Sequence, residues 1–285
     1  MRGACIIDNI DIDDLGMLIL RGGDNDFLSF PERKPPMQND WFEYDGLDVD
    51  LSEVFFQPKE LNVKFNMTCP DTDTFLYNLD ELHRILSKSG YRQMYIRDFD
   101  RTFSLRYVSC PQFAQRGGLA NPAVKSASFT VRFAMDDPLQ VITSDNMHPV
   151  APEINPTHVR LNGFDLSNFG IIVQKAYHTA LQLPAPKPPL VRTFEKLNGA
   201  IADTVKSASQ FPDLIISCHM SADSSEEFYT NYDALFNQLT KPEALSIEIP
   251  ERTYTCYYSK MNNFRKLMPF SVHPRVSFDL VLKRI

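Results

Sequence analysis

Leu61-Asn62-Val63-Lys64-Phe65-Asn66-Met67 alternates apolar and polar residues without a break, the pattern of a strand buried on one face. Directly after it, Asp71 to Thr74 supplies an N-cap and first-turn acids. Phe75, Leu79, Leu82 and Leu86 then recur along one helical face until Ser89-Gly90 stops the run. Upstream, Ile10, Ile12 and Met17 to Leu20 read as short strands interrupted at Gly16. Downstream, Gln93 to Ile96, Thr102 to Tyr107 and Ala127 to Met135 read as strands, with a long loop containing Gly117-Gly118 before the last. Between the opening strands and the 61–67 strand lies an excursion. Arg21 to Asp40 is rich in Gly, Asp and Pro, and it leads to an alternating stretch, Trp41 to Asp50, turning at Asp45-Gly46. Asp-Gly between alternating residues is a strong hairpin signal.

The whole pattern is then written a second time. Asp8 to Ile19 lies over Asn162 to Val173 at an offset of 154, Lys34-Pro35-Pro36 over Lys187-Pro188-Pro189 at 153, and Asp45-Gly46 over Asn198-Gly199. Leu61 to Met67 aligns with Leu214 to Met220, and Phe75, Leu82 and Leu86 with Phe228, Leu235 and Leu239. Arg101, Tyr107 and Ser128-Phe129 fall on Arg252, Tyr258 and Ser277-Phe278, the offset drifting down to 149. A smooth drift is the mark of small loop deletions within a genuine repeat. Asp136 to Thr157 carries four prolines and little periodicity, as a linker holding the copies in a limited range of orientations would.

These elements predict a mainly β chain of two tandem homologous domains, residues 1–137 and 158–285, joined by a Pro-rich linker at 138–157. Each domain is expected to be a small β-sandwich or rolled sheet with one flanking helix and a long hairpin, because one amphipathic helix covers only one side of such a core.

Composition narrows the chemistry. At 285 residues and 43% hydrophobic content the chain is large enough for two cores. No stretch approaches the roughly 20 apolar residues of a membrane-spanning helix, and the short apolar start at Cys5 to Ile7 does not resemble a secretory leader, so a soluble protein made in a cytoplasm is expected. The net charge of −7 argues against a phosphate-neutralising surface. The first 150 residues hold 23 acidic against 15 basic residues, the remainder 13 against 14, and 13 of the acids lie between Asp8 and Glu53. Phosphate loops, dinucleotide fingerprints, HExxH and GxSxG are absent from the sequence. Five cysteines without a CxxC pair read as reduced and mostly buried. Cys218 and His219 are strand neighbours and point to opposite faces. His83, aligned with Phe236, reads as a partly buried packing residue. Asp11-Asp13-Asp14 could chelate a hard cation, but only Asp11 has an acidic counterpart, Asp165, so a structural role is preferred. No catalytic residue, cofactor or metal is expected.

The opening motif at Ile7 to Met17 and again at Leu161 to Ile171, the Pro-containing excursion with its Asp-Gly or Asn-Gly hairpin, and the strand, helix and closing strands that follow resemble the tail-tube fold of tailed bacteriophages. The resemblance is particularly to the distal tail protein of long-tailed phages. It implies a β-sandwich flanked by a helix, a hairpin that helps assemble subunits, and rings through which genome and tape-measure protein pass. Distal tail proteins usually carry one such domain and form hexamers. With two copies per chain, the economical expectation is a homotrimer of pseudo-sixfold symmetry, or else a homohexamer. The resemblance also implies other tail proteins as partners (tube, tape measure, tip or receptor-binding components), transient DNA passage, no membrane, assembly in the host cytoplasm and residence in the virion tail. Asp45, Gly46, Asn198 and Gly199 are then the candidate assembly turns. Asp24, Asp26, Asp48 and Asp50 are candidate lumen-facing acids that would repel passing DNA. The alternatives from the sequence are a tail tube subunit of the same fold and, from another class, a monomeric β-sandwich binding module or hydrolase.

Overall fold

The computed structural model describes residues 4–116, 118, 124–142, 148–150, 154–189, 191–196, 198–202, 208–270 and 273–285. Gly117 and parts of the expected linker lie outside them. In the first copy the strands are β1 (Cys5–Ile7), β2 (Ile10–Asp11), β3 (Met17–Ile19), β4 (Lys59–Cys69), β5 (Arg92–Ile96), β6 (Arg101–Arg116) and β7 (Lys125–Met135), with helix α1 (Thr72–Leu86) between β4 and β5. They form one antiparallel sheet in the order β2-β1-β5-β6-β7-β4-β3.

The second copy repeats it with β8 (Arg160–Leu161), β9 (Phe164–Asp165), β10 (Ile171–Lys175), β11 (Leu214–Ser221), helix α2 (Ser225–Leu239), β12 (Leu245–Ile249), β13 (Arg252–Met268) and β14 (Arg275–Arg284). The order is β9-β8-β12-β13-β14-β11-β10. The duplication read from the sequence is therefore a duplication of topology, and of register as well. Val63 faces Val131 in the first copy and Ile216 faces Leu280 in the second, residues matched at offsets of 153 and 149.

Each sheet rolls because its longest strand serves two neighbours. β6 pairs with β5 over Arg101–Leu105, then with β7 from Arg106 onward, with irregularities around Ser109. Such bulges bend a strand and let it turn a corner. The alternation seen at 61–67 is kept: Leu61, Val63, Phe65 and Met67 are buried and the residues between them are not. The first helix starts where expected, and the second is capped at the matching position. Asp71 Oδ1 accepts from Thr74 N at 2.8 Å, and Ser224 Oγ accepts from Glu227 N at 3.1 Å.

The structure revises two local expectations. Ile12 lies in a 3-10 turn, Ile12–Leu15, rather than a strand, and Gly16 closes that turn in the left-handed region at φ 65°. The strand expected at 102–107 runs on to Arg116, because β7 supplies it with a partner along that length.

The repeated Asp and Gly of the opening motif prove to be caps. Asp11 Oδ1 accepts from Asp13 N at 3.0 Å at the head of the turn. Its counterpart Asp165 accepts from Ser167 N at 2.9 Å, Thr157 N at 3.0 Å, Thr157 Oγ1 at 2.8 Å and His158 N at 3.1 Å. Partial burial raises the Asp165 pKa, but these hydrogen bonds outweigh it and pull the value down to about 2. The folded-state pKa is below the unfolded one, so the contribution is fully present above pH ~4 and is lost as pH falls through about 2. Asp165→Asn is therefore expected to lower stability by on the order of 1–2 kcal/mol at pH 7. In urea unfolding at pH 7, 4 and 2, the gap between wild type and variant should close only at the lowest pH. A gap that stays constant down to pH 2 would assign the loss to something other than the ionised carboxylate.

Candidate functional site

The richest constellation of side chains lies where the copies meet, and it starts from a segment that the sequence shows only as an irregular excursion. A single 3-10 turn, Asn25–Phe27, turns Phe27 inward against Phe103, ring centroids 4.7 Å apart. The next residues, Leu28 and Phe30, consequently leave their own copy and enter the other. Phe30 packs against Tyr232 at 4.3 Å and Phe236 at 4.9 Å, two residues four apart on one face of α2. Its backbone N–H points at Met261 Sδ, 3.4 Å away. Tyr232 Oη donates to Leu28 O, Tyr258 Oη donates to Pro31 O at 3.0 Å, and Arg33 N donates to Ser259 O at 2.8 Å. Burial pushes the phenols of Tyr232 and Tyr258 well above their ordinary range, so both remain donors at any physiological pH.

A second set of contacts is ionic. Lys266 Nζ pairs with Asp24 and, at 2.6 Å, with Asp98, and it lies over the Phe99 ring. Phe270 N donates to Asp98 Oδ1 at 3.0 Å. Beside it, Tyr229 Oη donates to Phe99 O at 2.7 Å, while the Arg101 guanidinium stacks 3.7 Å from the Tyr229 ring centroid. Near the Phe27 segment, Lys59 Nζ donates to Phe27 O and Ser29 O. Burial lowers its pKa to about 7, partly offset by Asp26.

The third set is an arm. Residues 33–56 of the first copy project as a two-stranded ribbon, Gln38–Asn39 pairing with Asp48–Val49. Its tip reaches the base of the corresponding ribbon in the second copy. There the buried Lys187 Nζ donates to Gly46 O at 2.7 Å and Trp41 O at 2.8 Å, and pairs with Asp40 at 2.6 Å. Gly46 N donates to Ser209 O at 2.9 Å, and Asp45 Oδ1 accepts from Ser209 N at 2.6 Å. Gly46 has φ 72°, and a Cβ there would stand 3.1 Å from Ile285 and 3.2 Å from Phe211. Only glycine suits this position.

The structure resembles, over 99% of this chain and 98% of the other, the crystal structure of Dit (gp 19.1) of phage SPP1, described as a paradigm of the hub adsorption apparatus in phages infecting Gram-positive bacteria. The identity is 13% and the TM-score 0.35. The chain is similar, end to end, to a phage distal tail protein. No protein-family model and no curated protein sequence matches it.

The structure places the site residues expected from the sequence in different settings. Asp45 and Gly46 are a latch within the chain. Their ladder sits further from the turn than expected, at 38–39 and 48–49, because the tip bends onto the second copy instead of closing as a tight Asp-Gly hairpin. Asn198 and Gly199 lie in the second ribbon, where Val191–Thr193 pairs with Ala200–Ala202 and every described residue is exposed. Asp24 is not a free surface acid: it is buried and its charge is met by Lys266. Asp26 Oδ2 accepts from Asn62 N at 3.0 Å and Asp48 from Trp41 Nε1 at 3.4 Å. Asp50 accepts from Ser52 N at 3.0 Å, the hydrogen bonds to Ser52 holding its pKa below the usual range.

His83 is exposed rather than packed, since nothing among the described residues covers it as Phe30 and Phe56 cover Phe236. Four cysteines are buried and Cys110 is exposed. Among the described residues no three His, Cys, Asp or Glu side chains group as metal ligands, and no helix is long and apolar enough to cross a membrane. The residues that sequence reasoning missed are Phe30, Tyr232, Phe236, Lys187 and Lys266. The one available signal was the apolar pair Leu28 and Phe30 inside a polar excursion, repeated as Leu181 and Leu183.

Proposed function

We propose that this chain is a structural subunit of a phage tail that builds a ring at the distal end of the tail tube, with two tube-like domains at 1–137 and 158–285 joined by 138–157. The single observation that carries the reading is that the chain contains a ready-made joint between two homologous units, in which one unit's donor segment and arm enter the other unit's helix and long strand. Such a joint is heterologous, two different surfaces meeting head to tail, and repetition of heterologous joints generates a ring when the rotation closes. Three chains supply six such units, the economical way to imitate sixfold symmetry. In this reading the half-buried Asp26 and the exposed Asp48 and Asp50 belong to the lumen, where like charge keeps DNA from adhering. Other tail proteins stack on the ring's two faces.

The test is the mass of the full-length protein by light scattering across a concentration series, with negative-stain images of the main species. A trimer or hexamer with a central hole is the expected result. A strict monomer at high concentration, with no hole-bearing species on addition of neighbouring tail proteins, overturns the ring.

A further inference from the structure

Each surface of the joint has a homologue that the chain does not use. On the donor side, the turn Asn25–Phe27 corresponds to Tyr177–Ala180, seated the same way: Phe27 meets Phe103, and Ala180 O accepts from Tyr254 Oη at 2.9 Å, Tyr254 being the match of Phe103. With Lys34 matched to Lys187, the offset of 153 places Leu181 on Leu28, Leu183 on Phe30 and Pro184 on Pro31. The matched residues differ in burial. Leu28 and Phe30 are each 3% exposed, whereas Leu181 is 55% and Leu183 is 86% exposed.

On the receiving side the same comparison runs in reverse. Tyr232, Phe236, Tyr258, Met261 and Phe264 correspond to Leu79, His83, Tyr107, Cys110 and Phe113. The long strands carry the match into their side chains: Phe113 stacks on Phe129 at 5.7 Å, as Phe264 stacks on Phe278 at 6.3 Å. In the second copy these positions are buried, with Phe30 packed on Tyr232, Phe236 and Met261. In the first they line an open, mainly apolar groove of about 280 Å³, with Cys110 and Phe113 exposed.

We propose that this groove on the first copy is a socket for the Leu181–Pro184 segment of a second copy of this chain, so that the joint seen within one molecule is repeated between molecules. The occupant is fixed by the molecule itself. The used socket takes an apolar pair and a proline from a homologous segment, and the unused segment carries an apolar pair and a proline at the same spacing. An exposed leucine pair on one copy and an exposed apolar groove on the other are what an interface leaves when its partner is absent. The same operation brings the Asn198-Gly199 tip to the exposed Lys34, the match of the buried Lys187. The proposal deepens the ring reading and rests on it only for closure, since head-to-tail contacts that fail to close give an open filament.

The geometry supplies its own probe. Phe30 N lies 3.4 Å from Met261 Sδ, so the matched pair, Leu183 and Cys110, meets across the proposed contact. Full-length Leu183→Cys, oxidised with diamide, is expected to give disulfide-linked dimers and higher species on non-reducing gels. Adding Cys110→Ser abolishes them, and wild type gives none. Leu181→Asp with Leu183→Asp is expected to reduce the solution mass to that of one chain while leaving the unfolding midpoint of the monomer unchanged. Rings that persist in the double-aspartate variant, together with no disulfide between Cys110 and the thiol introduced by Leu183→Cys, would overturn the socket and leave the ring reading standing. Links in a protein that forms filaments or short oligomers without a hole would uphold the socket and overturn closure. A protein that is monomeric and unlinked at the highest concentration overturns the socket, and the ring with it when neighbouring tail proteins also yield no hole-bearing species.

Discussion

Replacing Lys266 by methionine is expected to destabilise the folded chain by about 3–5 kcal/mol, the usual cost of removing one partner from a buried ionic group. Lys266 Nζ bridges the carboxylates of Asp24 and Asp98, and the Asp24 side chain is almost fully enclosed. Methionine keeps the stem over the Phe99 ring but leaves two like charges facing each other with little solvent. The loss should appear as a lower urea midpoint with an unchanged slope. It should be partly restored by Asp24→Asn in the same molecule, because the residual repulsion is then gone. Trp41 is a convenient reporter, being the only tryptophan and sitting at the arm tip. A single-variant loss below about 1 kcal/mol would mean that water reaches the cluster and screens it.

Phe30→Ala is expected to cost a similar amount, about 3–5 kcal/mol, with a different signature. Phe30 fills the space between Tyr232, Phe236 and Met261 in the other copy rather than the core of its own. Its loss should leave both sheets intact while weakening their contact, so that one cooperative transition separates into two, seen by comparing Trp41 fluorescence with far-UV circular dichroism. The homologous Leu183→Ala serves as the control. Being exposed, that side chain should change the stability of the isolated chain by no more than about 0.5 kcal/mol. Equal losses at both positions would show that Phe30 acts through general surface effects and not through the joint.

The elements that the sequence made legible are those whose information is local. Alternation at 61–67 and the stripe Phe75, Leu82, Leu86 depend on period alone, and the repeat reinforced each by stating it twice. Asp11 and Asp165 are legible as structural because each recurs with a glycine five residues later, the two ends of one capped turn. The joint was not legible, because its donor segment has no period. Leu28 and Phe30 sit among Gly, Asp and Pro and are buried by residues some 200 positions away. Lys187 and Lys266 look like any surface lysine until the arm and the Asp24 segment close over them. The Asp45-Gly46 turn is legible from its local chemistry, but its ladder is not, since the tip is bent by hydrogen bonds to Ser209 and Lys187 that no neighbouring residue announces.

The stretch between the copies is anchored at both ends: Gln140 Oε1 accepts from Ser104 N at 2.7 Å, and Val150 N donates to Asn231 Oδ1 at 2.7 Å. A covalent tether of this kind fixes the local concentration that one copy experiences from the other, on the order of millimolar or above for short connections. Diluting the protein leaves that value untouched. The Phe30 joint therefore forms at any expression level, whereas a contact made through Leu183 obeys mass action. In the proposed six-unit ring, fusing the two units leaves three joints to be made between molecules instead of six, and the onset of assembly would then depend on how much chain the cell has made.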